Sequence, residues 1–135
     1  MKYLLDTNIL SETRRRRPEA RVLDWLRRAD AASLHVSVLT LGEIAKGAAV
    51  IGRRDPAAGR ALAAWLDGLR EHYADRVVGI DAAIAETWGR MSAARPLPAI
   101  DGLLAASAQV LGMTLVTRNP RDIEGTGVPV FNPWG

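Results

Sequence analysis

The side chains in this sequence that could do chemistry are carboxylates, and four stand out by position: Asp6, Glu43, Asp101 and Asp122. Asp6 and Asp122 each follow a short apolar run, Asp101 falls in the first turn of a helical stretch, and Glu43 lies inside another. In an open parallel sheet the carboxyl ends of the strands face the ligand crevice, so an acid just past a strand is placed for chemistry rather than for packing. If the four converge, repulsion governs them. Two unit charges about 4 Å apart repel by roughly 4 kcal/mol at an effective dielectric of about 20, so such a cluster needs protons or cations. The chain has no cysteine, and His35 and His72 read as structural or exposed. An oxygen-only site of this kind favours Mg²⁺ or Mn²⁺ over zinc. Each acid also has a plain structural use. Asp6 can cap a helix, Asp101 can answer its helix dipole, Asp122 can close an Asx-turn, and Glu43 can be an ordinary helix glutamate.

The elements that must position these acids follow from apolar spacing. Tyr3, Leu4 and Leu5 read as a strand that stops at Asp6, with Thr7 and Asn8 able to cap the helix that follows. A helix is predicted over 18–29, with Pro18 in its first turn and Val22, Leu23, Leu26 and Ala29 at helical spacing, leaving Arg21, Arg27 and Arg28 in water. A brief strand over 34–37 leads into a helix that starts at Ser37 or Thr40 and contains Leu41, Ile44, Ala45 and Ala48. Glu43 sits at the border of its packed face, between Leu39 and Gly47. Asp55 and Pro56 start a long helix to Tyr73, which completes a helical hairpin. A strand over 77–80 and a helix capped by Asp81 come next, and Trp65 and Trp88 read as core. After the break at 95–98, Ile100 and Asp101 open a helix through Leu111 that Gly112 ends. Residues 113–117 form a strand, Arg118, Asn119 and Pro120 turn towards Asp122, and a final strand is predicted over 128–131 with Trp134 folding back as a plug. Strands alternating with helices predict an α/β fold, a three-layer α/β/α sandwich around a mainly parallel sheet.

Composition narrows the class. At 135 residues and 48% hydrophobic content the chain suits one domain spanning 1–135. No apolar run is long enough to span a bilayer, the amino terminus lacks a cleavage signal, and there are no disulfides, which together predict a cytoplasmic protein without a membrane partner. Of the eighteen basic residues only Lys2 and Lys46 are lysine. Arginine forks two hydrogen bonds onto a phosphate, so this balance is compatible with a nucleic-acid substrate, although a GC-rich coding sequence gives the same bias. Arg14, Arg15, Arg16 and Arg17 are the one cluster, able to hold a polyanion near the Asp6 turn or simply to form a solvated loop.

Four stretches together resemble the PIN-domain ribonucleases, in particular the VapC and FitB-like toxins of type II toxin-antitoxin pairs: LLDTNILS ending at Ser11, LTLGEIAKG from Leu39, LPAIDGLLAASA from Leu97, and LVTRNPRDIEGTGVPVFNPW from Leu115. The resemblance covers nearly the whole chain in the expected order. Ile123 departs from it, since phenylalanine often follows the last aspartate there, and this bears on packing under that loop. The resemblance implies a metal-dependent endoribonuclease in which Asp6, Glu43, Asp101 and Asp122 hold one or two Mg²⁺ ions, with Mn²⁺ as a substitute. Asp6 and Asp101 would ligate directly, and Glu43 and Asp122 directly or through water. Thr117 and Asn119 match the family's polar pair, whose hydroxyl and amide orient a carboxylate or a metal-bound water. The implied reaction is in-line attack of a metal-activated water on an RNA phosphodiester. Flanking phosphates would be gripped by the arginines at 14–17 or by Arg118 and Arg121. The resemblance also implies a cognate antitoxin covering the groove, a homodimer assembled through helices, and operator DNA reached only through the antitoxin. The apolar hairpin from Val38 to Leu69 is the expected place for such contacts.

Three rivals remain in view. A haloacid-dehalogenase-like phosphatase needs a second aspartate where Asn8 stands, and a receiver domain needs paired acids and a late lysine that the sequence lacks. A PIN fold kept as a non-catalytic binding module differs in class, and the intact acidic set argues against it.

Overall fold

A computed structural model describes Met1–Gly135. Five short strands form one fully parallel sheet in the order β3-β2-β1-β4-β5: β1 (Tyr3–Leu5), β2 (Leu34–Ser37), β3 (Val77–Val78), β4 (Thr114–Val116) and β5 (Val130–Phe131). From β1 the chain steps outward through β2 to β3, then returns to the other side for β4 and β5. The strand order therefore reverses between β1 and β4, and a crevice opens at the carboxyl ends of strands at such a switch point. Leu5 pairs with Val36 on one side and Val116 on the other. The next residue along each chain, Asp6, Ser37 and Thr117, thus emerges on one edge of the sheet.

Alternation along the strands divides the core into two. Leu4 and Leu115 face a cluster with Leu104, Ala105, Ala108, Met113 and Ile123. Leu5, Val36 and Val116 face the opposite cluster with Ile9, Leu10, Val22 and Tyr73. The first cluster is covered by α5 (Ala82–Ala94) and α6 (Ala99–Leu111), the second by α1 (Thr7–Glu12) and α2 (Ala20–Arg28). The expected α/β/α layering is observed. The hairpin of α3 (Val38–Gly52) and α4 (Pro56–His72) packs against itself along its length, and Gly59 explains how closely. A Cβ on Gly59 would stand 2.6 Å from the Gly52 Cα and 3.1 Å from the Ala48 carbonyl oxygen.

Caps fix most helix starts where the sequence predicts them. Ser37, Asp55 and Asp81 each accept a hydrogen bond from the first turn of the helix they precede. Gly112 ends α6 at φ +65°, a left-handed position that glycine adopts without strain. Ile123, the departure from the family pattern, is buried at 3% exposure, so the loop beneath it is packed.

Several boundaries differ from expectation. Of the two capping readings for α1 the structure takes Asp6, whose carboxylate accepts from the Thr7 N–H at 2.7 Å, and places Thr7 and Asn8 inside the helix. Pro18 stays outside α2, which begins at Ala20, because Glu19 is extended at φ −66° and ψ 121°; its N–H donates to the Glu12 carboxylate at 2.9 Å. The third and fifth strands are two residues each, shorter than the apolar runs that announced them. Ala45 is exposed rather than on the packed face of α3. Trp65 and Trp88 are half-buried: Trp65 lies at the rim of the second cluster, and Trp88 packs against Gly102. Trp134 does pack back on the second cluster, with its N–H donating to Asn132 Oδ1 at 2.9 Å. No helix is long and apolar enough to cross a membrane.

Candidate active site

The switch point gathers the predicted acids. Asp6 leaves β1, Asp101 stands in the first turn of α6, and Asp122 lies in a single 3₁₀ turn (Pro120–Ile123) after β4; together with Thr117 and Asn119 they line one narrow cleft floored by Leu104, Leu115 and Ile123. The space between them is about 10 Å³, room for roughly one water-sized sphere. Glu43 does not line this cleft: on α3 it forms part of a separate, apolar groove with Val38, Leu39 and Val50.

Hydrogen bonds fix two of the acids. Thr117, 2% exposed, donates from its hydroxyl to Asp6 Oδ2 at 2.8 Å. The Asn8 amide donates weakly to the same oxygen at 3.4 Å and to Thr117 Oγ1 at 3.5 Å, while Asn8 Oδ1 accepts from the Arg118 N–H at 3.3 Å. Asn8 thereby ties the β1 exit to the β4 exit. Thr7 donates from its hydroxyl to Glu43 Oε1 at 2.6 Å, which fastens α3 to the start of α1. Asp6, Asp101 and Asp122 line the cleft, but no three of the acids stand close enough together to form a ready cage for a metal ion.

Their charges nonetheless reach each other. The Asp101 carboxyl is held above the ordinary carboxylate range, first by burial and then by the negative charges of Asp122, Asp6 and Glu43. Asp101 is thus the acid that feels the other three, as repulsion between neighbouring carboxylates requires. Every donor around it is oxygen, which suits a hard divalent cation better than zinc.

The polar pair is divided differently from expectation. Thr117 orients a carboxylate, that of Asp6. The Asn119 side-chain amide orients none; only its backbone N–H takes part, donating to Thr117 Oγ1 at 3.1 Å. The orienting amide is Asn8, and with Thr7 it is what the sequence reading missed as part of the site. The available signal was their place directly after Asp6, in the first turn of a helix starting at the crevice. The two phosphate-gripping expectations also separate. Arg118 lies with its guanidinium 5.1 Å over the Trp134 ring, and Arg14 lies 5.0 Å over the Trp65 ring.

Comparison with known proteins agrees with this fold. The PIN domain family matches residues 3–126. The chain is similar to the plasmid stability protein StbB of Pseudomonas syringae pv. tomato, 32% identical with 97% of each chain covered, and to the VapC ribonuclease Y4jK of Sinorhizobium fredii, 32% identical with 97% and 96% covered. It is 29% identical to toxin FitB of Neisseria gonorrhoeae, over 97% of each. The crystal structure of FitAcB from Neisseria gonorrhoeae superposes with a TM-score of 0.88 at 28% identity, covering 98% of each chain, and that of FitAB bound to a DNA fragment with 0.83 at the same identity, covering 98% and 96%. Matched over residues 3–126 and folded around the same kind of parallel sheet, the chain belongs to the PIN domain family.

Proposed function

We propose that the chain is an endoribonuclease toxin of a toxin-antitoxin pair that acts in the cytoplasm and hydrolyses RNA phosphodiesters at the Asp6, Glu43, Asp101 and Asp122 cleft. The observation that carries this reading is the meeting of Asp6, Asp101 and Asp122 with Thr117 and Asn119 around one cleft beyond β1 and β4. We assign Mg²⁺, with Mn²⁺ as a substitute, to Asp6 and Asp101 directly and to Glu43 and Asp122 directly or through water. When bound, such a cation supplies Lewis-acid stabilisation of charge on the phosphate oxygens and lowers the pKa of the attacking water. The chain's own residues do the positioning. Thr117 and Asn8 hold Asp6 in one orientation, and Thr7 holds Glu43. Asp122 and Asn119, both exposed at the mouth, are free to meet the substrate. Repulsion among the acids keeps the cleft selective for a cation-neutralised phosphate.

The partners follow from the same reading. The groove beside Glu43 has Val38 and Val50 left 41% and 47% exposed, which suits an apolar segment of a cognate antitoxin lying over the cleft. The homodimer forms through helices, and operator DNA is reached through the antitoxin. The relatives' names, a VapC ribonuclease and toxin FitB, support this assignment.

The test is cleavage of a mixed RNA pool by the purified chain with Mg²⁺, with Mn²⁺ and with EDTA, beside Asp6→Asn and Asp101→Asn. We expect cutting with either metal, none in EDTA, and at least a hundredfold loss in both variants. A chain that binds RNA but cuts nothing under any of these conditions would instead be a binding module.

A further inference from the structure

Arg14, Arg15, Arg16 and Arg17 follow the other end of α1 from Asp6, and the structure gives them unequal roles. The Arg14 guanidinium is spent against Trp65, 5.0 Å above its ring. Arg15 is held by Glu12, Nη1 to Oε1 at 3.4 Å. Glu12 is 4% exposed, and its second oxygen accepts from the Glu19 N–H at 2.9 Å. One buried carboxylate thus pins both ends of the loop, the close of α1 and the approach to α2. Backbone bonds from the Arg14 and Arg15 N–H groups to the Ser11 and Glu12 carbonyls, at 3.1 and 3.2 Å, shape its first half. Arg16 and Arg17 are exposed and make no ion pair within the chain. With Arg15 they line an open hollow that contains no apolar side chain.

We infer that this hollow is a second anchor for the RNA strand, in which Arg16 and Arg17 each take a backbone phosphate while Arg14, Arg15 and Glu12 hold the loop in shape. The inference rests on the nuclease reading for the identity of the strand. Three facts support it. Guanidinium forks match phosphate oxygens in pairs, and these two have no carboxylate to satisfy them. A protein partner would need an apolar centre to bury, and this hollow has none. The loop and the acidic cleft are joined by a six-residue helix, about 9 Å along its axis, so a single strand entering the cleft can span both. Contacts of this kind fix the strand and carry no sequence information.

The test is binding of a short, fluorescent, mixed-sequence single-stranded RNA to the full chain in EDTA, where no cutting occurs, measured across salt concentrations. For Arg16→Ala/Arg17→Ala we expect about tenfold weaker binding near 0.1 M salt and a salt slope shallower by about 1.4, from two phosphates at about 0.7 each. Arg27→Ala/Arg28→Ala removes the same charge from the exposed end of α2 and should change affinity less than threefold. Wild-type affinity and slope in the Arg16/Arg17 variant overturn the anchor, as does a loss no greater than in the Arg27/Arg28 control. Displacement of the RNA by poly-glutamate as readily as by unlabelled RNA also overturns it, since the hollow would then read charge rather than phosphate. The two readings fail separately. Binding that depends on Arg16 and Arg17 in a chain that never cuts leaves the anchor and removes the nuclease, whereas Asp101-dependent cutting with arginine-independent binding does the reverse.

Discussion

Thr117 is the residue on which the site's geometry turns. Its buried hydroxyl donates to Asp6 and accepts from the Asn119 N–H. Thr117→Val keeps the shape and removes both bonds, leaving Asp6 Oδ2 without its shortest donor, while the exposed Asn119 N–H can turn to water. We expect RNA cleavage to fall 10–100-fold, the usual effect of losing a partner that orients a metal-ligating carboxylate. Thr117→Ser should restore most of the rate. A valine variant that cuts as fast as wild type would remove Thr117 from the site. Little of this was legible in the residues alone. The apolar run over 113–117 announces a strand with a polar residue at its end, but nothing local says that its hydroxyl faces Asp6, 111 positions away. That contact exists because Leu5 and Val116 are register partners.

Among the elements, the α3–α4 hairpin is the most constrained. Its close approach at Gly59 is backbone against backbone, so a methyl group there cannot be accommodated by turning a side chain. Gly59→Ala should destabilise the chain by about 1–3 kcal/mol through overpacking. Gly47→Ala, on the same hairpin, would meet only Leu62 Cδ2 at 3.6 Å, an ordinary contact, and should change stability by less than about 0.5 kcal/mol. Thermal melting of the two variants checks this; equal melting points would mean that the helices do not cross where Gly59 sits. The hairpin itself was plain from Ser37, Asp55 and Pro56, because caps act within one turn and are written locally. Its crossing point was not, because either glycine satisfies the same spacing.

At the scale of the whole molecule the four acids set a balance between stability and readiness to take a cation. The folded chain holds the Asp101 proton to a higher pH than the unfolded chain does. Without divalent cation, stability is therefore fullest at acid pH, as far as this group is concerned, and declines as pH rises from the ordinary carboxylate value through the raised one. At neutral pH, Mg²⁺ or Mn²⁺ should raise the melting point, by the equivalent of about 2.7 kcal/mol at a hundredfold excess over Kd. Asp101→Asn should melt higher than wild type in EDTA and lose most of the gain from metal. A melting point indifferent to Mn²⁺ in wild type would separate the acids from any cation.

The sequence by itself determined the alternation of strands and helices, the caps, the two-sided core and the four acids, because each depends on periodicity or on chemistry within a few residues. It also carried the family, through four stretches in order. Only the tertiary structure decided which polar side chains serve those acids. Asn8 and Thr7 became partners of Thr117 and Glu43, and the Asn119 amide did not, because strands distant in the chain are brought side by side in a fixed register. Only the fold, likewise, divided four consecutive exposed arginines into two that rest on Trp65 and Glu12 and two that make no ion pair, since that depends on where Trp65 and Glu12 come to rest.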